Sequence, residues 1–131
     1  VHNRRRVKEG RGRIIMDMEA DSNRLVDIAL GAKRLAIFSV GGGVPRNNTQ
    51  NVAPLIEIIA ERLGLSLPKT MFSSGCRICP DAPWFGHLSG CTYAENMSWR
   101  KMDPNGIFSE VHTDAIIILP LYTRFLMENV N

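Results

Sequence analysis

The chain has 131 residues, of which 44% are hydrophobic and 22% are charged. This length suits one domain with a real hydrophobic core. A formal net charge of +3 is too small to indicate nucleic-acid binding, and no apolar run reaches the roughly 18 residues that predict a membrane span. No apolar signal-peptide core follows the N-terminus. We therefore expect a cytoplasmic globular protein with neither membrane nor nucleic acid as a partner.

A basic cluster stands near the N-terminus, at residues 4–6, 8, 11 and 13. Such a cluster is typical of a solvated arm or exposed helix end, and it is also found where a protein contacts nucleic acid or an acidic partner. The net charge is too modest to decide between them, and the solvated arm is the more common case.

Strands and helices alternate in the predicted order of elements. Strands are expected at residues 13–18, 35–40, 69–78 and 108–113. Helices are expected at residues 23–33, from about 51 to 63, and from 115 to about 128. A long irregular loop is expected at 80–90, and a helix or turn at 95–99. This alternation predicts an α/β fold with a mainly parallel sheet.

The predicted helix ends rest on particular residues. Asp21 or Ser22 is expected to cap the first helix, and Gly64 to end the second. Asp114 is expected to cap the last helix. Pro120 lies inside that helix and predicts a kink or a later start.

Three cysteines and one histidine have the spacing C-x2-C-x7-H-x3-C, at Cys76, Cys79, His87 and Cys91. This set suits a tetrahedral zinc ion. However, the first two cysteines lie in or beside a predicted strand, where alternate side chains point to opposite faces. We therefore expect reduced thiols and no metal.

A lysine, an indole and a carboxylate stand close together in the segment Glu95-Asn-Met-Ser-Trp99-Arg-Lys101. A lysine attacks carbonyls and imines only when it is unprotonated, and burial lowers its pKa toward that state. The indole of Trp99 could hold an alkylammonium group, with Glu95 as the opposite charge. By spacing alone, the pattern is more typical of a half-buried aromatic beside two solvated charges.

Two further features suit a nucleotide ligand. The glycines at residues 41–43 follow a predicted strand, where they allow either a tight turn or the close approach of a phosphate. Asp114 follows another strand and could cap a helix, contact a ribose, or do both.

The stretch from Ser89 to Lys101 resembles the active-site segment of deoxyhypusine synthase, particularly of its bacterial deoxyhypusine-synthase-like relatives. Three other stretches, at 41–48, 77–80 and 110–121, agree in the same order. The resemblance covers roughly residues 35–128. It implies a Rossmann-like parallel sheet flanked by helices, in the C-terminal part of a larger NAD-binding domain. Residues 1–131 would then be a single α/β domain or a fragment, the C-terminal half of such a domain, which alone does not hold the whole cofactor.

The resemblance also implies a reaction, in which NAD takes hydride from spermidine or a related polyamine. The aminobutyl group then passes through an imine on a lysine to an acceptor amine, either a protein lysine or a small amine such as putrescine. Lys101 would be the covalent nucleophile, Trp99 would line the polyamine tunnel, and Glu95 would bind a terminal ammonium. The family further implies a homotetramer with sites between subunits.

The resemblance assigns the remaining site residues by position. The other substrate-binding residues would be Asn47, Gly86, His87 and Ser89. The NAD-binding residues would be Gly42, Pro80, Asp81, Asp114 and Ala115.

The chain departs from the family pattern at several site positions. Asn47 replaces a histidine that moves protons, and an amide cannot act as a general base near neutral pH. Phe85 and Leu88 replace aspartates that face the polycation, and Arg100 replaces the glycine before the lysine. His87 could substitute as the proton carrier or have a structural role. These changes leave open an alternative function, as a catalytically impaired paralogue that serves as a structural or activating subunit.

Overall fold

The computed structural model of the chain describes residues 1–86 and 91–130. The helices are α1 (His2–Lys8), α2 (Met18–Gly31), α3 (Val44–Gln50), α4 (Val52–Leu63), α5 (Tyr93–Ser98) and α6 (Ala115–Asn129). The strands are β1 (Leu35–Val40), β2 (Phe72–Ile78) and β3 (Met102–Val111). A short 3-10 helix spans Pro83–Phe85.

The three strands form one parallel sheet in the order β1-β2-β3. The predicted α/β class with a parallel sheet flanked by helices is therefore confirmed. The strands end together, because Val40 is aligned with Ile78 and Ile78 with Val111. As a result, the three segments that follow the strands leave the sheet at the same edge.

One face of the sheet carries the core. Tyr93 of α5 stacks on Phe108 of β3 with ring centroids 4.8 Å apart, and Ile37 of β1 packs against the same cluster. The buried members of this cluster are Ala29, Val52, Ile56, Phe72, Tyr93 and Met102. Helices α2, α4 and α5 therefore cover this face.

The opposite face is much more open. Phe38, Val40 and Ile107 are exposed there, and Phe38 stacks on Tyr122 of α6 with centroids 5.4 Å apart. Helix α6 is apolar along most of its length and contains no buried residue. Parallel sheets are usually covered on both faces, so this open face and α6 together form a large exposed apolar surface.

The strand predicted at 13–18 is wrong. The amide of Asn3 binds both the backbone N–H and the carbonyl of Ile14, at 2.9 Å each, and no neighbouring strand pairs with this segment among the described residues. Helix α2 begins at Met18, and the carboxylate of Asp17 accepts a hydrogen bond from the N–H of Ala20. Asp21 and Ser22 therefore lie inside the helix rather than at its cap.

Other element boundaries differ from the predicted ones, and the start of β3 is set by its pairing with β2. Strand β3 begins at Met102 instead of 108, because Met102 pairs with Phe72 before the register shifts and Ile107 pairs with Ser74. Strand β2 begins at Phe72 instead of 69. Residues 44–50 form the separate helix α3, which was not predicted. Residues 95–98 are helical, one of the two predicted possibilities.

The predictions with a strong local signal are confirmed. Strand β1 covers residues 35–40 as expected, and α4 ends before Gly64, which has a left-handed φ of 62°. The carboxylate of Asp114 caps α6 by accepting from the N–H of Ile116 at 2.9 Å. The later start suggested by Pro120 is wrong, because α6 begins at Ala115 and continues through the proline. Within residues 1–86 and 91–130, no helix is both long and apolar enough to cross a membrane.

Candidate active site

Lys101 lies at the junction of α5 and β3, and it is only 5% exposed. Its N–H donates to the carbonyl of Asn96 at 3.0 Å, and its own carbonyl accepts from the N–H of Phe72 at 3.0 Å. Its side chain extends to α3, where Nζ donates to Oδ1 of Asn47 at 2.7 Å. The lysine is thus fixed to a helix, the sheet and a second helix.

Helix α5, which carries Glu95 toward Lys101, is positioned by its first turn. Thr92 caps the helix, since its Oγ1 accepts from the N–H of Glu95 at 3.2 Å. Tyr93 then anchors the helix on the sheet. Gly75 makes room for this tyrosine, because a Cβ at that position would lie 3.0 Å from the Tyr93 hydroxyl.

The last turn of α5 sets the direction of Lys101. The N–H of Arg100 donates to the carbonyl of Met97 at 2.9 Å, and the N–H of Lys101 donates one residue further back, to Asn96. This pair of bonds is a Schellman motif, which needs a left-handed residue after the helix cap. Arg100 occupies that position with a φ of 57°, the one positive φ outside glycine in the described part of the chain. Its guanidinium forms an ion pair with Glu57 of α4.

The surroundings of Lys101 favour its neutral form. Burial lowers the pKa of Lys101, and the positive charge of Arg46 acts in the same direction, whereas Cys91 and Glu95 act to raise it. The Trp99 ring centroid lies 5.8 Å from Nζ, and the Trp99 side chain is 64% exposed. A neutral amine beside an accessible aromatic face can act as a nucleophile toward a bound imine.

Two buried arginines stabilise the segment that leads into α5. Nη2 of Arg46 donates to the carbonyl of Cys91 at 2.8 Å, and Nη1 of Arg77 donates to the same carbonyl at 3.2 Å. Arg77 is also paired with Glu110, at 2.9 Å, directly across the sheet register. Sequence reasoning missed these residues, although Arg46 precedes Asn47 and a charged residue inside an apolar strand such as β2 is a detectable signal.

The predicted cofactor residues lie together at the carboxyl edge of the sheet. Gly42 follows β1, Pro80 and Asp81 follow β2, and Asp114 and Ala115 follow β3. Ligands of open α/β sheets bind at this edge. The turn at 41–43 has positive φ at Gly41 and Gly43, and a Cβ at Gly41 would have no neighbour within 4 Å.

The loop after β2 is described only in part. Gly86 is exposed and ends the 3-10 helix with a φ of 68°, and Phe85 beside it is 67% exposed. The predicted residues His87 and Ser89, together with Leu88, lie outside the described residues. Cys76, Cys79 and Cys91 are free thiols, and no three potential metal ligands are grouped in residues 1–86 and 91–130.

The fold and the site together define a class, an α/β protein in which a buried amine contacts the helix that follows the carboxyl end of a strand in a parallel sheet. The family model described as deoxyhypusine synthase matches residues 1–125. The chain therefore belongs to the deoxyhypusine synthase family, as the sequence motifs predicted.

Curated relatives agree with this membership. The chain is similar to a probable deoxyhypusine synthase 2 of Archaeoglobus fulgidus, with 32% identity over 114 residues that cover 87% of this chain and 36% of that protein. A probable deoxyhypusine synthase 2 of Methanosarcina acetivorans is 33% identical over 116 residues, covering 88% and 32%. A deoxyhypusine synthase-like protein of Nostoc sp. is 32% identical over 120 residues, covering 87% and 30%. The chain thus spans about a third of the length of these relatives.

Arg100→Gly should be more stable than Arg100→Ala by about 1 kcal/mol, because only glycine adopts the left-handed conformation without strain. Both variants lose the ion pair with Glu57, so their difference isolates the backbone effect. Urea unfolding of the two proteins measures it. Equal free energies of unfolding would contradict a strained Arg100.

The stability contribution of Lys101 should depend on pH. Its pKa in the folded protein lies below the ordinary value of 10.5, so the unfolded chain binds more protons between the two pKa values. The free energy of unfolding, relative to Lys101→Met, should therefore rise with pH through that window and level off above it. Denaturation of both proteins from about pH 7 to about pH 11.5 tests this. If the relative free energy of unfolding falls as the pH rises, the pKa of Lys101 is raised in the folded protein and the prediction is wrong.

Proposed function

We propose that the protein is a deoxyhypusine synthase-like transferase that moves an aminobutyl group from spermidine to an acceptor amine, with Lys101 as the covalent nucleophile. The observation that carries this proposal is the burial of Lys101 with its Nζ held 2.7 Å from Asn47. Membership of the family supports the substrate class. The carboxyl edge of the sheet supports a nucleotide cofactor.

The chemistry requires a free electron pair on Nζ. In the proposed step, Nζ adds to the carbon of the protonated imine, and the π electrons move to the departing nitrogen. A proton then passes from Nζ to that nitrogen, the single bond from the carbon to it breaks, and the lone pair of Nζ forms the new carbon–nitrogen double bond. The lowered pKa of Lys101 favours the neutral amine, and Asn47 orients it by accepting one of its hydrogens.

The substrate cation would meet two groups near this lysine. The exposed face of Trp99 suits an alkylammonium chain by cation–π attraction, and Glu95 is an exposed carboxylate one turn earlier on α5. Gly86, His87 and Ser89 are proposed as further substrate-binding residues on the strength of the family motif.

The residues at the sheet edge fit part of a dinucleotide. The turn that contains Gly42 has open space beside Gly41 that suits a phosphate, and the carboxylates of Asp81 and Asp114 suit ribose hydroxyls. Pro80 and Ala115 would shape the surrounding wall. NAD, when bound, would supply the oxidation and the later reduction of the carbon–nitrogen bond.

Asn47 favours a second candidate function. Its amide can bind a substrate or orient Lys101, but it cannot accept a proton as the family histidine would. The acceptor would then be a small amine, as in homospermidine synthesis, or the protein would be a catalytically impaired paralogue that acts as a structural or activating subunit. In either case Asn47 contacts the Lys101 amine and cannot take a proton from it, so another group would have to accept that proton.

A homotetramer with sites between subunits is the proposed assembly. The exposed apolar surface formed by α6 and the open sheet face supports it, because monomeric proteins rarely expose continuous apolar patches of this kind. The chain spans about a third of the length of its relatives. In a protein of their length, the remaining residues could also cover this apolar surface.

Borohydride reduction in the presence of NAD and spermidine should add an aminobutyl group to Lys101, detected by peptide mapping. The experiment uses the natural protein with any segments that accompany this chain. Lys101→Ala should lose both adduct and turnover, whereas Lys33→Ala, which removes an exposed lysine, should retain them. Full turnover by Lys101→Ala would reject the mechanism. No adduct with spermidine or related polyamines would favour the impaired paralogue.

Phe125→Ser should weaken assembly if α6 lies in a subunit interface. The substitution removes about 2 kcal/mol of burial per copy, since Phe125 is an exposed apolar residue of α6. Light scattering over a concentration series measures the effect, with Arg124→Ser on the same helix as control. A tetramer equally stable in both variants would place the interface elsewhere.

A further inference from the structure

We propose that Arg46 is a positioning residue for Lys101, which fixes the segment that carries the lysine and acts on its amine through the guanidinium charge. The expected effect of Arg46 on transferase kinetics rests on the proposed function. Its effects on the position and charge state of Lys101 do not. The sequence motifs assigned Arg46 no role.

Two adjacent residues of α3 hold the two ends of one segment. Arg46 donates to the carbonyl of Cys91 at 2.8 Å, and Asn47 accepts from Nζ of Lys101 at 2.7 Å. Between Cys91 and Lys101 lie α5 and its Schellman turn. The segment from Cys91 to Lys101 is therefore hydrogen-bonded to α3 at both ends. We expect that a displacement of Cys91 would also displace Lys101.

Arg46 is deeply buried, with 5% of its surface exposed. A buried guanidinium is costly unless its hydrogen bonds are satisfied, and a carbonyl is one suitable acceptor. Arg77 donates to the same carbonyl from the sheet, at 3.2 Å. The Cys91 carbonyl thus retains one donor when Arg46 is replaced, which makes a folded variant attainable.

The charge of Arg46 acts on the same lysine. Among residues 1–86 and 91–130, the ionisable groups that act on Lys101 are Arg46 from α3 and Cys91 and Glu95 from the α5 segment. Glu95 and Cys91 raise the pKa of Lys101, and Arg46 opposes them. Loss of the guanidinium would leave burial alone to oppose these two groups, so the pKa of Lys101 would rise.

The test is competitive labelling of lysines with acetic anhydride as a function of pH, measured by peptide mass spectrometry. Labelling gives both the pKa of each lysine and its accessibility, and it needs neither spermidine nor turnover. Arg46→Met keeps length and apolar volume but removes the charge, and Arg46→Lys keeps the charge. Lys33, which is exposed, serves as an internal reference in each sample.

In Arg46→Met, labelling of Lys101 near neutral pH should fall on the order of threefold to tenfold, with its midpoint shifted to higher pH. Arg46→Lys should keep a midpoint near that of the parent protein, and Lys33 should be unchanged in both. A purely structural Arg46 would leave the midpoint in Arg46→Met unaltered, and that result overturns the proposal. Equal upward shifts in both variants, with greater accessibility of Lys101, also overturn it, because the charge would then have no part.

The transferase assay separates this inference from the proposed function. If Lys101 is the nucleophile, the acid limb of the kcat/KM profile should shift in Arg46→Met by the same amount as the labelling midpoint. A labelling shift without any transferase activity in the parent protein would reject the proposed function and leave the role of Arg46 established.

Discussion

The arrangement of this site depends on the burial of one amine, that of Lys101. Lys101 has a nearly fully buried side chain, and a buried ammonium needs a partner or a lower pKa. The partner here is a neutral amide, Oδ1 of Asn47. A carboxylate in that place would hold the lysine in its charged form, whereas an amide satisfies one hydrogen and adds no negative charge. The choice of partner therefore agrees with the direction of the pKa shift.

Helix α3 connects the two halves of the site. It begins directly after the glycine turn at the carboxyl edge of the sheet, where the proposed nucleotide contacts lie, and one turn later it presents Asn47 to Lys101. The parallel order of the strands makes this possible, because it places the ends of all three strands at one edge. A substitution in the turn at 41–43 would therefore affect both the carboxyl edge of the sheet and the position of the Lys101 amine.

Local signals in the sequence predicted the elements that depend on local physics. The apolar run of β1, the left-handed glycine after α4 and the capping aspartate of α6 each act within a few residues. The motif resemblance likewise identified Lys101 and Asn47 as site residues, and the structure brings the two into contact.

The errors have a different origin, because they depend on partners far along the chain. The apolar residues after Ile14 do not form a strand, since Asn3 satisfies the backbone of Ile14 instead of a neighbouring strand. Burial of Arg77 depends on Glu110 and on the carbonyl of Cys91. Burial of Arg46 depends on that same carbonyl. No periodicity within β2 or α3 carries this information, so sequence reasoning assigned these arginines no role.

The replacements at Arg100 and Asn47 have opposite structural meanings. At Arg100 the side chain has changed while the backbone retains the left-handed conformation that suits a glycine, and the ion pair with Glu57 accompanies that conformation. The turn that directs Lys101 is therefore kept in spite of a strained residue. Asn47 stands where the motif resemblance gives a histidine, and its side chain contacts the lysine but cannot accept a proton. On that resemblance, the chain keeps the position of the amine and differs in the groups that move protons around it. Under the proposed function this difference bears on the acceptor amine, because the proton that Lys101 exchanges needs a carrier other than Asn47.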